Sequence, residues 1–110
     1  MQPKFLEALQ TLREKFGKPL SISSGYRDAT THPIESEKTE PGIHAYGLAA
    51  DILISHSSAY DLLEAALSLN MFTGIGINQK GHPGRRFIHL DMATPKNYRM
   101  DVIRPTIWSY

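Results

Sequence analysis

The sequence predicts a small α+β domain. Two segments repeat apolar residues at the three- and four-residue steps of a helix, and three others alternate apolar and polar or small residues as strands do. Read along the chain, the order is helix, strand, strand, helix, hairpin. With 110 residues there is room for one domain, residues 1–110, and one core.

The first helix runs from about Pro3 to Phe16. Phe5, Leu9, Leu12 and Phe16 form its apolar stripe, and Lys, Glu and Arg fill the other face. Pro3 suits the first turn and Gly17 the C-terminal stop. Between Pro19 and Tyr26, Leu20 and Ile22 alternate with Ser21 and Ser23, as in a short strand with one buried face. It leads into Gly25-Tyr26-Arg27. Taken alone, Arg27 is most simply a solvent-facing arginine, although its place after a glycine would let it fork onto a carboxylate. The stretch from Asp28 to Pro41 is polar and patternless, and a loop that long in a compact domain usually has a function or no fixed structure. His32 in that loop reads as a rim residue.

The most unusual stretch is Gly42-Ile43-His44-Ala45-Tyr46-Gly47-Leu48-Ala49-Ala50-Asp51. From Leu48 onward both faces are apolar except at Asp51, as expected of a strand covered on both sides. A carboxylate inside such a run is costly unless something cationic meets it. His44 and Asp51 are an odd number of positions apart, so a turn or bulge at Gly47 is needed to bring them together. Otherwise Asp51 is a turn acid and His44 a surface histidine.

Ser55 to Ser58 break the strand. Ser58 followed by Asp61 resembles a capping box with a shorter acid, opening a second helix with Leu62, Leu63, Ala66, Leu67 and Met71 on its apolar side. Phe72 to Ile77 alternates apolar and small residues, a strand whose glycines admit a close neighbour. Gln79 to Arg85 is a turn, and Arg86 to Met92 returns as the second arm of a hairpin. His56 and His82 read as exposed loop residues. In the returning strand Phe87, His89 and Asp91 share one face; this is either a polar outer face or half of a site. The tail from Tyr98 to Tyr110 is too apolar to hang free, and Pro105 suits a sheet edge.

His44, Asp51 and His89 have the donor set of a three-ligand zinc site with an open fourth position. There is no cysteine, so disulfides and thiolate ligands are excluded. Net charge is +1, which gives no electrostatic case for nucleic acid or an anionic membrane. No apolar run is long enough to cross a bilayer, and no secretory signal is visible after Met1, so the expectation is a chain made in a cytoplasm or cut from something larger.

Three motifs in this order, Ser23-Ser24-Gly25-Tyr26-Arg27, His44-x-x-Gly47-x-Ala49-x-Asp51 and Phe87-Ile88-His89-Leu90-Asp91, resemble those of the zinc D-Ala-D-Ala carboxypeptidase family, which includes murein endopeptidases and phage endolysins. The end segment Arg104-Pro105-Thr106-Ile107-Trp108 is also similar to theirs. The resemblance implies the hedgehog/DD-peptidase-like fold, a small antiparallel sheet with helices on one side. It implies zinc held by His44, Asp51 and His89, with Arg27, Ser23 and Tyr26 contacting the peptide. The implied activity is hydrolysis of peptide bonds in peptidoglycan, by a monomer, at a cell wall reached after synthesis without a leader, as a phage lysin or virion-borne part. Many relatives have an acid three residues before the second histidine, and here that position is Arg86, which cannot take a proton from water. Asp91 is the substitute expected to move the proton, or else to support the site. Gly42 stands where relatives often have serine.

Overall fold

The computed structural model describes residues 1–24 and 47–110. The described elements are α1 (Pro3–Phe16), β1 (Ile22–Ser24), β2 (Ala49–Leu53), α2 (His56–Leu69), β3 (Gly74–Asn78), a short 3-10 turn (Pro83–Arg85), β4 (Phe87–Asp91) and β5 (Thr106–Ser109). The strands form a single sheet in the order β1-β2-β4-β3-β5. The α+β class is as expected. The first four strands are antiparallel to their neighbours, whereas β5 joins β3 in parallel, making the sheet mixed. The expected antiparallel sheet therefore holds for four strands. The chain leaves β4 at Asp91 and enters β5 at Thr106 at the same end of the sheet, both opposite Gly74, so β5 runs antiparallel to β4 and hence parallel to β3 between them.

The sheet has two unlike faces because side chains alternate along each strand. One face carries Ala50, Ile52, Ile75, Ile88 and Leu90, which pack with Phe5, Ala8, Leu9 and Leu12 of α1 and Ala59, Leu62, Ala65 and Ala66 of α2 in one core. Phe5 of α1 and Phe72 meet edge to face at 6.3 Å. Both helices thus pack apolar residues against this face, although Leu67, expected on the apolar side of α2, is 55% exposed. The opposite face carries Asp51, His89 and Asp91.

Helix α1 starts at Pro3 and ends at Gly17, whose φ of 81° and N–H bond to the Arg13 carbonyl close the helix as the sequence predicted. Helix α2 starts earlier than expected. Its N-cap is Ser55, not Ser58, and neither serine forms a reciprocal box with Asp61. The turn out of β2 takes only Ile54 and Ser55, so Ser58 and Asp61 fall inside the helix. The returning hairpin is as expected: β3 and β4 pair from Gly74 opposite Asp91 to Asn78 opposite Phe87. The apolar tail does pack back, as edge strand β5.

Gly47 fixes how the chain enters β2. Its φ is +73°, and a Cβ there would lie 3.1 Å from backbone atoms of both Met1 and Gln2. Its carbonyl accepts the Gln2 N–H at 2.9 Å, which ties the start of α1 to the start of β2. Gly47→Ala is expected to lower stability by about 1–2 kcal/mol from the left-handed backbone alone, with the steric contact adding to it. Urea unfolding should show a lower midpoint at unchanged slope.

Candidate active site

The site is built across the sheet from strand register. Asp51 of β2 lies opposite His89 of β4, and His89 lies opposite Gly76 of β3. Gly76 in turn pairs with Trp108 of β5. One row of residues therefore crosses four strands and points to the face away from the helices. The next row on that face holds Ala49, Asp91, Gly74 and Thr106.

The two glycines in β3 are openings for side chains from the neighbouring strands. A Cβ on Gly74 would collide with the Asp91 carboxylate, and one on Gly76 would come 2.6 Å from the Trp108 indole. With no side chains there, Asp91 and Trp108 fold over the β3 backbone and close around His89. The Trp108 and His89 rings sit 5.2 Å apart. Phe87, Tyr110 and Trp108 continue as an aromatic strip, with Phe87 5.1 Å from Tyr110.

His89 is only 4% exposed and has an acid at each ring nitrogen. Nδ1 is 3.0 Å from Asp51 Oδ1, and Nε2 is 2.7 Å from Asp91 Oδ2. A carboxylate only accepts, so when both contacts are hydrogen bonds the ring carries two protons. Burial opposes that charge, but the hydrogen bonds and charges of the two acids outweigh it and raise the His89 pKa.

Asp91 is fully buried. Arg104 donates from Nε to Oδ1 at 3.0 Å and from Nη2 to Oδ2 at 2.8 Å. The Ala93 N–H donates to Oδ1 at 3.2 Å, and the Thr73 hydroxyl, which donates to the Ala93 carbonyl at 2.7 Å, lies alongside. Burial pushes the Asp91 pKa up, and the bonds from His89 and Arg104 more than reverse it, leaving the carboxyl below its usual range. Arg104 also lies 5.2 Å over the Trp108 ring.

Of the residues singled out in the sequence, Asp51, His89 and Asp91 come together. Ser23 lies beside them on β1, where its hydroxyl donates to the Asp51 carbonyl at 3.3 Å. His44, Arg27 and Tyr26 lie outside the described residues. Arg86 bonds the Gly81 carbonyl of the hairpin turn through Nε and Nη2. It lines a groove with Tyr60, Leu63, Ile77 and Ile88 on the helix side, away from this cluster. Two contributors were not read as site residues, Arg104 and Trp108. A fully buried Asp91 needs a cation, and that requirement was the available signal for Arg104.

The donor chemistry fits zinc. Ligands at about 2.0–2.1 Å in tetrahedral geometry stand about 3.3 Å from one another, close to the Asp51–His89 separation of 3.0 Å. Among the described residues no group of three potential ligands is arranged to hold a metal ion. Asp91 does not complete one, because its oxygens are already engaged by Arg104 and His89. The third expected ligand, His44, belongs to the segment that is not described.

No curated protein and no solved structure matches this sequence. A family model described as Peptidase M15 matches residues 1–91, a span that contains Arg27, His44, Asp51, His89 and Asp91. On that match, covering most of its length, the chain belongs to the peptidase M15 family.

Proposed function

We propose that the protein is a zinc-dependent peptidase that hydrolyses peptide bonds in the stem or cross-link peptides of peptidoglycan, as a carboxypeptidase or an endopeptidase. The observation that carries this reading is the meeting of Asp51 and His89 at ligand spacing, with the second nitrogen of His89 anchored on a buried acid. Asp51 and His89, together with His44, would hold the ion. Bound zinc would lower the pKa of its water toward about 7 and polarise the scissile carbonyl.

The chain's own groups take the remaining roles. Asp91 supports the site: with no exposure and with Arg104 across both oxygens, it suits holding the His89 ring and not meeting a substrate or water. Arg27 recognises a carboxylate or carbonyl of the peptide, where a planar guanidinium can make two parallel bonds. Ser23 and Tyr26 flank it in sequence and complete the substrate contacts. A monomer acting at the cell wall, reached as a phage lysin or virion-borne part, suits this chemistry.

A second reading, a zinc-stabilised module that binds wall peptides without cutting them, is favoured by two observations. Arg86 replaces the acid of many relatives, and Asp91 is withdrawn into an ion pair. Mass spectrometry of muropeptides separates the two. Purified protein is expected to release new peptide termini from Gram-negative murein, and chelator or His44→Ala is expected to abolish that release. Zinc bound at one equivalent with every muropeptide left intact would establish the binding module instead.

A further inference from the structure

We infer that Arg104 is a positioning residue for the metal centre: by gripping both oxygens of Asp91 it locks the carboxylate that aims His89 Nδ1 at Asp51. The inference rests on the reading that Asp51 and His89 share a zinc ion, and it extends that site by a third layer from the segment that leads into β5.

The geometry is a chain of contacts with little freedom. Arg104 stands just before β5, and its side chain is 12% exposed. It donates to Oδ1 and to Oδ2 of Asp91 at 3.0 and 2.8 Å. A third donor, Nη1, is fixed on the Ile103 carbonyl at 2.8 Å, so the fork is anchored at its own base. A carboxylate gripped at both oxygens cannot rotate about its Cβ–Cγ bond. Oδ2 therefore stays 2.7 Å from His89 Nε2, and the ring cannot swing or flip. The ring is held at its side as well, because the Trp108 indole that Arg104 covers packs against it.

Lysine would not reproduce this arrangement. Its ammonium is a single point donor on a flexible stem, whereas the guanidinium presents two parallel N–H bonds in a plane. Removing Arg104 would leave Asp91 buried with the Ala93 N–H and His89 as its main partners, free to turn. The aim of Nδ1 would then be lost, although neither proposed zinc ligand had been touched.

The experiment compares wild type with Arg104→Gln and Arg104→Lys. Zinc affinity is measured on the purified, metal-stripped proteins by competition with a chromophoric chelator. The His89 imidazole is observed separately by 15N NMR in the zinc-free proteins. Arg104→Gln is expected to weaken zinc binding by about 10–100-fold, as for other outer partners of ligating histidines, and to lose the protected Nε2–H signal of the bond to Asp91. Arg104→Lys, which keeps the charge in the pair and so preserves folding if the glutamine variant does not, is expected to fall between glutamine and wild type. Wild-type zinc affinity in a folded Arg104 variant, or an unchanged Nε2–H signal, would overturn the inference. If wild type itself takes up no zinc, the peptidase reading fails, and the NMR comparison alone decides for or against Arg104.

Discussion

Asp91→Ala is expected to cost this domain about 3–5 kcal/mol, the range for breaking a buried ion pair by removing one partner. Small domains hold only about 5–15 kcal/mol in total, so the variant should sit close to the unfolding threshold. The physical reason is the number of groups that lose their partner together. Arg104 would keep a buried guanidinium with two donors facing a void, His89 would lose the acceptor at Nε2, and the Ala93 N–H would lose its acceptor. Asp91→Asn keeps the shape and one acceptor oxygen, but in either orientation its NH2 group faces a donor of Arg104, together with the Ala93 N–H or His89 Nε2. Its expected loss is smaller than that of alanine and still above about 1 kcal/mol, the least expected when a buried donor is left without an acceptor. Urea unfolding with chelator present isolates this effect from metal binding. A loss below about 1 kcal/mol for the alanine variant would mean that water replaces the carboxylate at little cost, in conflict with its complete burial.

The parts of this architecture that were legible in the sequence are those set by near neighbours along the chain. Helix α1 could be placed end to end because the stripe from Phe5 to Phe16, Pro3 and Gly17 all act within a few residues. The common face of His89 and Asp91 followed from strand parity alone. The start of α2 did not, because Ser55 and Ser58 offer the same side chain and only the length of the turn out of β2 decides between them. Contacts set by register lay further out of reach. Asp51 meets His89 because β2 pairs with β4 while β3, the nearer strand to β4 in sequence, takes its other edge. Donor chemistry and family resemblance, not strand pattern, joined those two residues. Arg104 shows the remaining gap. It sits 13 positions beyond Asp91 in a segment with no periodic signal, and only the parallel addition of β5, with Thr106 opposite Gly74, brings it to the Asp91 carboxylate. The reasoning that a buried carboxylate demands a cation, applied to Asp51 in the sequence, applies with more force to Asp91. The glycines of β3 were read as admitting a close neighbour, and the neighbours are the side chains of Asp91 and Trp108.

His89→Ala is expected to remove zinc binding and with it all muropeptide cleavage, a larger effect than the roughly 10–100-fold expected of any outer partner. The reason is that His89 supplies a donor atom, while Asp91 and Arg104 only orient it. The same residue sets the expected pH dependence in the wild type. In the metal-free protein Nδ1 faces Asp51, and its proton is favoured by acids on both sides, so the pKa stands above the ordinary histidine value of 6.5. Zinc needs the lone pair at Nδ1, so binding must displace that proton. Below the raised pKa the apparent zinc affinity should therefore climb by at least about tenfold per pH unit, and above it the contribution of His89 should level off. The stability of the metal-free fold should move the opposite way. A histidine whose pKa is raised by folding contributes fully below its unfolded value, and that contribution fades as pH rises through the folded value. Two measurements check the sign, chelator competition across pH and urea midpoints of the stripped protein over the same range. A zinc affinity flat through this window would show that His89 meets the metal without giving up a proton, and would break the link between the Asp51–His89 contact and the proposed metal centre.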